Sequence, residues 1–238
     1  MNDIPPAIKD ILEQIQRNFI ERFKDNIKCL ILYGSWSKGT AREDSDIDLL
    51  AIFNRVNKET GKSVYEIERG IETERCITIV SSGIEDFQKE KLPLYTAVKS
   101  EGKVMYGSVD MSINHEPPEL KYSDFFKKSC EFESKKIEIA EELLKKGIGS
   151  GIADLCFIAS KHAIQSALAM KGEGYSSKVA VLSPLTERYF GKEIVGAFRK
   201  LFELYIKSEY GIEFLSDEEA KLAVGYAKKV FEVYDTVR

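Results

Sequence analysis

Two neighbouring segments of the sequence decide the fold, Gly34-Ser35-Trp36-Ser37-Lys38-Gly39 and Ser45-Asp46-Ile47-Asp48-Leu49. The apolar run 29–33 precedes the first segment, and the apolar run 47–53 contains the end of the second. Short apolar runs bounded by glycine and polar residues are typical of buried strands that end in turns. The order therefore predicts a strand, a glycine turn, a short helix and a second strand.

The residue types around this turn suit a bound chain of phosphates. Gly34 lacks a Cβ, so a phosphate can approach the backbone closely and the turn can adopt a positive φ. Ser35 begins a helix whose unpaired N–H groups and positive dipole end favour an anion. Lys38 is either a phosphate ligand or part of a solvated helix face, and Ser45 either orients the loop before Asp46 or fills a turn position. Gly34, Ser35, Lys38 and Ser45 are the candidate nucleotide-binding residues.

Asp46 and Asp48 predict a site for a divalent cation. On a strand, residues at positions i and i+2 project from the same face, roughly 6.6 Å apart along the chain. Two carboxylates in one place repel each other unless a hard cation lies between them. Mg²⁺ held by one or two carboxylates and by substrate phosphates suits this arrangement. We therefore expect Asp46 and Asp48 to be catalytic residues and ligands of Mg²⁺ (or Mn²⁺).

In order and spacing, these segments resemble the DNA polymerase β-like nucleotidyltransferase superfamily, whose signature is Gly-Ser followed by Asp-x-Asp on the next strand. The fuller form, G-S-x-x-x-G with S-D-I-D-L-L, is most similar to the small prokaryotic minimal nucleotidyltransferases, which usually carry Arg where this chain has Lys38. The resemblance implies Mg²⁺-dependent transfer of a nucleoside monophosphate from a triphosphate to an acceptor hydroxyl. The acceptor would be a small molecule or a protein, and a helical domain would cover the cleft.

Active members of this superfamily generally place a third acidic residue on a neighbouring strand, within a run of the form apolar-Asp-apolar-apolar. The matching run here is 77–80, and its acidic position holds Thr78, whose hydroxyl is a poor base. Glu74 has the same strand parity, but four residues correspond to roughly 13 Å along a strand. Either the register brings Glu74 into the site as the third catalytic acid, or this acid is absent. In the second case the protein would be a catalytically weak or inactive nucleotide-binding module of a regulatory or antitoxin type.

The expected fold class is α+β, with a nucleotidyltransferase fold (a mixed sheet flanked by helices) over 1–107. A linker over 108–121, which contains two consecutive prolines, would join it to an all-α helical bundle over 122–238. The bundle resembles a HEPN domain in Phe157-x-x-x-x-His162-Ala163-Ile164-Gln165 and in Ser208-Glu209-Tyr210-Gly211. Ribonucleases of that family use an Arg shortly before a His. No Arg precedes His162 at that spacing, so RNA cleavage by this pair is disfavoured and His162 is expected to be a packing residue.

Composition sets the remaining expectations. The chain has 238 residues, 43% of them hydrophobic and 31% charged, and a net charge of −4. This charge disfavours a broad surface for duplex nucleic acid. The amino terminus lacks the basic start and apolar core of a signal peptide, and no apolar run is as long as a membrane span. We therefore expect a cytoplasmic protein without a membrane partner, which binds a nucleoside triphosphate and an unidentified acceptor, and a homodimer is considered as well.

Overall fold

The computed structural model describes residues 4–211 and 215–237. The chain divides between His115 and Glu116 into two compact units. Each unit has hydrophobic clusters of its own.

The first unit is built on a four-stranded mixed sheet. Its strands are β1 (Ile27–Tyr33), β2 (Ile47–Phe53), β3 (Ile77–Gly83) and β4 (Lys103–Gly107), in the order β3-β2-β1-β4. β2 and β3 are parallel, whereas β1 is antiparallel to both β2 and β4. Its helices are α1 (Pro6–Phe23), α2 (Ser35–Lys38), α3 (Lys58–Arg69), α4 (Ile84–Gln88) and α5 (Pro93–Glu101), with a 3₁₀ turn at Lys24–Asn26. This architecture confirms the predicted mixed sheet flanked by helices.

The two faces of the sheet bury different side chains of the central strand β2. Ile47, Leu49, Ala51 and Phe53 belong to the cluster that includes the apolar residues of α1 and α3. Leu50 and Ile52 alternate with them and belong to a second cluster with residues of α4 and α5. Asp48 has the parity of Leu50, so its side chain lies on the α4–α5 face of the sheet. The helical spacing of apolar residues over 7–24 predicts an amphipathic helix, and Ile8, Leu12, Ile15 and Phe19 of α1 are all buried.

Two elements of this unit are only partly indicated by the sequence. The pattern of 64–71 does not decide between helix and strand, and this segment lies mostly in α3, which begins with a capping box between Asn57 and Thr60. The β-branched residues of 75–80 predict a strand, but β3 begins at Ile77 and continues to Gly83, because its parallel pairing with β2 extends to the pair Phe53 and Gly83. These shifts leave the order of the strands in the motif unchanged.

The segment after β4 is attached to the first unit. Val109 and Met111 pack against the α4–α5 cluster. The Asn114 backbone N–H donates to Glu90 Oε1 at 2.6 Å, and Lys99 Nζ lies 2.9 Å from the same oxygen. Both side chains of this ion pair are buried. Residues up to His115 therefore belong to the first unit, and the rest of the segment expected as a linker lies in the second.

The second unit is a helical bundle. Its helices are α6 (Pro118–Lys121), α7 (Ser123–Lys145), α8 (Ile152–Met170), α9 (Val179–Phe190), α10 (Lys192–Tyr210), α11 (Asp217–Phe231) and α12 (Val233–Val237). α8 is the central helix and contacts all the others. Its Phe157 ring stacks on Phe198 of α10, with 5.8 Å between the ring centroids. Ser216 and Glu219 have the spacing of a capping box and predict a helix from there to about Val237. The capping box is present, but the helix is divided at Glu232.

A buried carboxylate joins α7 to α8. Glu133 is only 6% exposed, and its Oε1 lies 3.1 Å from Nδ1 of His162. Lys136 Nζ donates to the other carboxylate oxygen at 2.7 Å. Burial acts to raise the pKa of Glu133, but the hydrogen bonds and charges of His162 and Lys136 outweigh it, and the pKa is lowered. The sequence predicts His162 as a packing residue, whereas in the structure its side chain is 40% exposed and is paired with Glu133.

A membrane span requires a helix of sufficient length and hydropathy. Among the helices of the described residues, none is both long enough and apolar enough to cross a membrane.

The buried ion pair of the first unit yields a test of its stability. Lys99→Met removes the ammonium that neutralises the buried Glu90 carboxylate, and we expect the free energy of unfolding to fall by about 3–5 kcal/mol. The sequence has a single tryptophan, Trp36, so its fluorescence in urea reports on this unit. Adding Glu90→Gln to Lys99→Met should recover part of the loss. An equal or larger loss in the double variant would show that charge burial is not the cause.

The helical unit yields a test with a pH dependence. Because the pKa of Glu133 is lowered in the folded state, its contribution is complete above its ordinary pKa and is lost as the pH falls through the lowered value. We expect Glu133→Gln to destabilise the bundle by about 1–2 kcal/mol at pH 7, and the difference from the wild type should shrink on acidification. Circular dichroism in urea at several pH values measures this. Glu138→Gln, at an exposed position of the same helix, is the control, and a pH-independent effect of Glu133→Gln would contradict the account.

Candidate active site

The glycine turn and one of the two aspartates are in direct contact. Gly34 follows β1 with φ 74° and ψ −146°. A Cβ added to it would lie 2.6 Å from Oδ2 of Asp48. The antiparallel register explains this approach, because Tyr33 at the end of β1 pairs with Asp48 near the start of β2. Glycine is therefore required here both for its backbone conformation and for the space that the carboxylate occupies.

The two aspartates interact through their charges. Asp46 immediately precedes β2 and Asp48 is its second residue, so only Asp48 lies within the strand. Burial raises the pKa of Asp48, and the negative charge of Asp46 raises it further. A partly buried carboxylate beside a second one is a place where a cation is favoured. The charge of Asp46 thus reaches Asp48, and their role as joint ligands of a cation stays a prediction.

The loop that leads to Asp46 is held by side chains from two elements. The Trp36 indole N–H donates to the carbonyl of Ser45 at 3.3 Å, and the Arg42 N–H donates to Ser45 Oγ at 2.8 Å. The Arg75 guanidinium hydrogen-bonds the carbonyl of Glu43 and lies 5.7 Å from the centroid of the Trp36 ring. Trp36 itself is buried. Ser45 organises the turn, and Arg75 is a contributor that the sequence pattern did not reveal.

The helix after the glycine turn is a single turn of four residues. Its backbone hydrogen bonds run from Lys38 N–H to the Gly34 carbonyl at 3.3 Å and from Thr40 N–H to the Ser35 carbonyl at 3.0 Å. Ser37 Oγ also donates to the Gly34 carbonyl, at 2.9 Å. So short a helix sums few peptide dipoles, so an anion here would depend on individual N–H groups and on the Ser35 hydroxyl rather than on a macrodipole.

Lys38 contacts a residue that sequence reasoning missed. Its Nζ lies 2.8 Å from Oε2 of Glu101, the last residue of α5. The pairing of Leu32 with Lys103 in the β1–β4 ladder places the end of α5 beside the end of β1. Nothing in the local sequence indicates that residues so far apart meet at the glycine turn.

The position expected for a third acid is occupied by Thr78. In the parallel pairing of β2 and β3, Asp48 is opposite Thr78. Glu74 lies before β3, in the irregular segment that follows α3. Within 4–211 and 215–237, no group of three or more His, Cys, Asp or Glu side chains is arranged to hold a metal ion. The role of Glu74 as third acid stays a prediction.

The donor set nevertheless fits Mg²⁺. Asp46 and Asp48 offer hard carboxylate oxygens, and that of Asp48 lies beside the glycine turn. Mg²⁺ usually retains several waters and is bound by one or two carboxylates together with substrate phosphates. Two protein ligands are therefore sufficient for a cation that arrives with its nucleotide.

Two family models match the chain. Residues 13–110 match that of the polymerase beta nucleotidyltransferases, and residues 128–237 match that of the HEPN domain. A protein of Methanocaldococcus jannaschii, provisionally named a protein adenylyltransferase, is 37% identical over 51 residues. That match covers 21% of this chain and 35% of the relative, so the chain spans about a third of the relative's length.

Among solved structures, the chain is similar to spectinomycin adenyltransferase AAD(9) from Enterococcus faecialis, crystallised with ATP and spectinomycin. The alignment covers 93% of this chain and 98% of that one, with a TM-score of 0.53 and 12% sequence identity. At this identity the likeness shows the fold alone. The two family models identify the chain as a nucleotidyltransferase domain of the polymerase β family followed by a HEPN domain.

Proposed function

We propose that this protein is a Mg²⁺-dependent nucleotidyltransferase that moves a nucleoside monophosphate from a triphosphate to an acceptor hydroxyl. The monophosphate that we propose is AMP. The observation that carries the proposal is the contact of the Asp48 carboxylate with the Gly34 turn, with Asp46 beside it. We propose that the two carboxylates hold the cation and that the backbone of the adjacent glycine turn receives the phosphates. This is the combination that a nucleoside triphosphate requires.

Each residue has a chemical task in this proposal. Asp46 and Asp48 hold the cation, and a bound Mg²⁺ supplies charge neutralisation on the triphosphate. The Gly34 backbone and the Ser35 hydroxyl bind the outer phosphates, and Lys38 adds a positive charge. The acceptor oxygen attacks the α-phosphorus while the bond to pyrophosphate breaks, so positioning and charge stabilisation supply most of the catalysis.

ATP is the donor that we propose, because the relative and the structural neighbour are both named as adenylyl-transferring enzymes. The acceptor is proposed only as a hydroxyl, on a small molecule or on a protein, since the two named proteins differ in this respect. The role expected for the helical domain, to cover the cleft and select the acceptor, stays a prediction.

A second candidate is a nucleotide-binding module with weak or no catalysis. Thr78 favours it, because it is opposite Asp48 in the ladder where an acid would take the acceptor proton. General-base assistance typically contributes about 10²–10⁴-fold to a rate. The two candidates share one binding site and differ in turnover.

The binding site is tested by Asp48→Asn. We expect it to weaken Mg²⁺-dependent ATP binding about tenfold or more, because the cation loses a charged ligand. Calorimetric titration with and without Mg²⁺ measures this, and Asp44→Asn on the same loop is the matched control. The raised pKa of Asp48 means that its charge costs stability, so Asp48→Asn should melt no lower than the wild type. Unchanged affinity in Asp48→Asn would refute the site.

Turnover separates the two candidates. With Mg²⁺ and ATP labelled at the α-phosphate, the wild type should release pyrophosphate and label an acceptor, slowly because Thr78 is not a base. Aminoglycosides, spectinomycin and cell proteins are the acceptors to supply. Thr78→Asp should raise the rate, on the order of tenfold or more, if a missing base limits it, and Thr78→Asn is the uncharged control. ATP binding without transfer in any variant would favour the binding module.

A further inference from the structure

Lys38, at the proposed triphosphate site, forms an ion pair with a carboxylate at the end of α5. Its Nζ is 2.8 Å from Glu101 Oε2, and the two side chains are 46% and 30% exposed. Lys38 lies within one helical turn of Gly34, to whose carbonyl its own N–H donates. The ammonium that is expected to meet the phosphates therefore already has an anionic partner in the protein.

The two partners differ in how firmly they are placed. Glu101 ends α5, and the next residue, Gly102, donates its N–H to the Val98 carbonyl at 2.7 Å. A Cβ at Gly102 would lie 2.7 Å from Cγ2 of Ile31, so the backbone here is packed directly against β1. Lys38, in contrast, carries its charge at the end of a flexible four-carbon chain. The backbone that carries Glu101 is thus packed against β1, and the longer side chain of Lys38 is the member of the pair that can extend to a phosphate.

We propose that Glu101 competes with the triphosphate for Lys38 and thereby sets the affinity of the site. In the free protein Lys38 is bound to Glu101, and on nucleotide binding its ammonium exchanges this carboxylate for phosphate oxygens. A half-exposed ion pair contributes little net stability, so the exchange is inexpensive. After transfer, the same carboxylate recovers Lys38 and favours release of pyrophosphate. This inference rests on the proposed function.

The effect of Glu101 on nucleotide affinity should depend on Lys38, and this dependence distinguishes the exchange from simple charge repulsion. If Glu101 acts through Lys38, neutralising it should strengthen nucleotide binding only when Lys38 is present. If Glu101 acts only as one more negative charge near a polyanion, neutralising it should strengthen binding equally without Lys38. A double-mutant cycle separates these two effects.

The experiment titrates MgATP and, separately, Mg-pyrophosphate into the full-length wild type, Glu101→Gln, Lys38→Met and the double variant. We expect Glu101→Gln to lower both dissociation constants by about two- to fivefold, Lys38→Met to raise them, and Glu101→Gln to have no effect in the Lys38→Met background. Lys38→Arg should retain the Glu101 effect. Glu66→Gln, which breaks the 2.7 Å pair with Arg22 elsewhere in this unit, is the control and should change neither constant.

The outcomes distinguish this inference from the proposed function. Unchanged or weaker binding in Glu101→Gln, or equal tightening with and without Lys38, overturns the competition while Asp48-dependent binding still supports the triphosphate site. Absence of Asp48-dependent MgATP binding in the wild type overturns both.

Discussion

The contact between the Asp48 carboxylate and the Gly34 backbone is the constraint on which the site depends. It lies where the end of β1 pairs with the start of β2, and it leaves no room for a side chain at position 34. The contact places an acid of raised pKa beside Asp46, an arrangement that is costly in an empty site and favourable around a cation. The charged Asp48 thus lowers the stability of the fold at the position where binding is proposed.

The rest of the first unit supports this contact from both sides. On one side, Trp36 and Arg75 hold the loop before Asp46. On the other, the end of α5 brings Glu101 to Lys38. The site departs from the superfamily pattern at the third acidic position, because the β2–β3 pairing puts Thr78 opposite Asp48. Binding groups are therefore better represented in this site than groups for proton transfer.

Local signals in the sequence predicted most of the fold. Apolar runs and Gly34 gave the strand–turn–helix–strand order, and helical spacing gave the bundle. The cap of α3 was missed because it pairs Asn57 with Thr60 instead of with an acidic residue. Glu101 and Arg75 could not be predicted, since their roles depend on which strands become neighbours. The register of β3 against β2, which decides between Glu74 and Thr78, is likewise a tertiary property.

A crystal structure with Mg²⁺ and a non-hydrolysable ATP analogue tests the central claim most directly. The account predicts that the cation is bound by carboxylate oxygens of both Asp46 and Asp48, and that the outer phosphates lie against the Gly34–Ser35 backbone. A triphosphate bound elsewhere, or a cation that Asp48 does not contact, would contradict it.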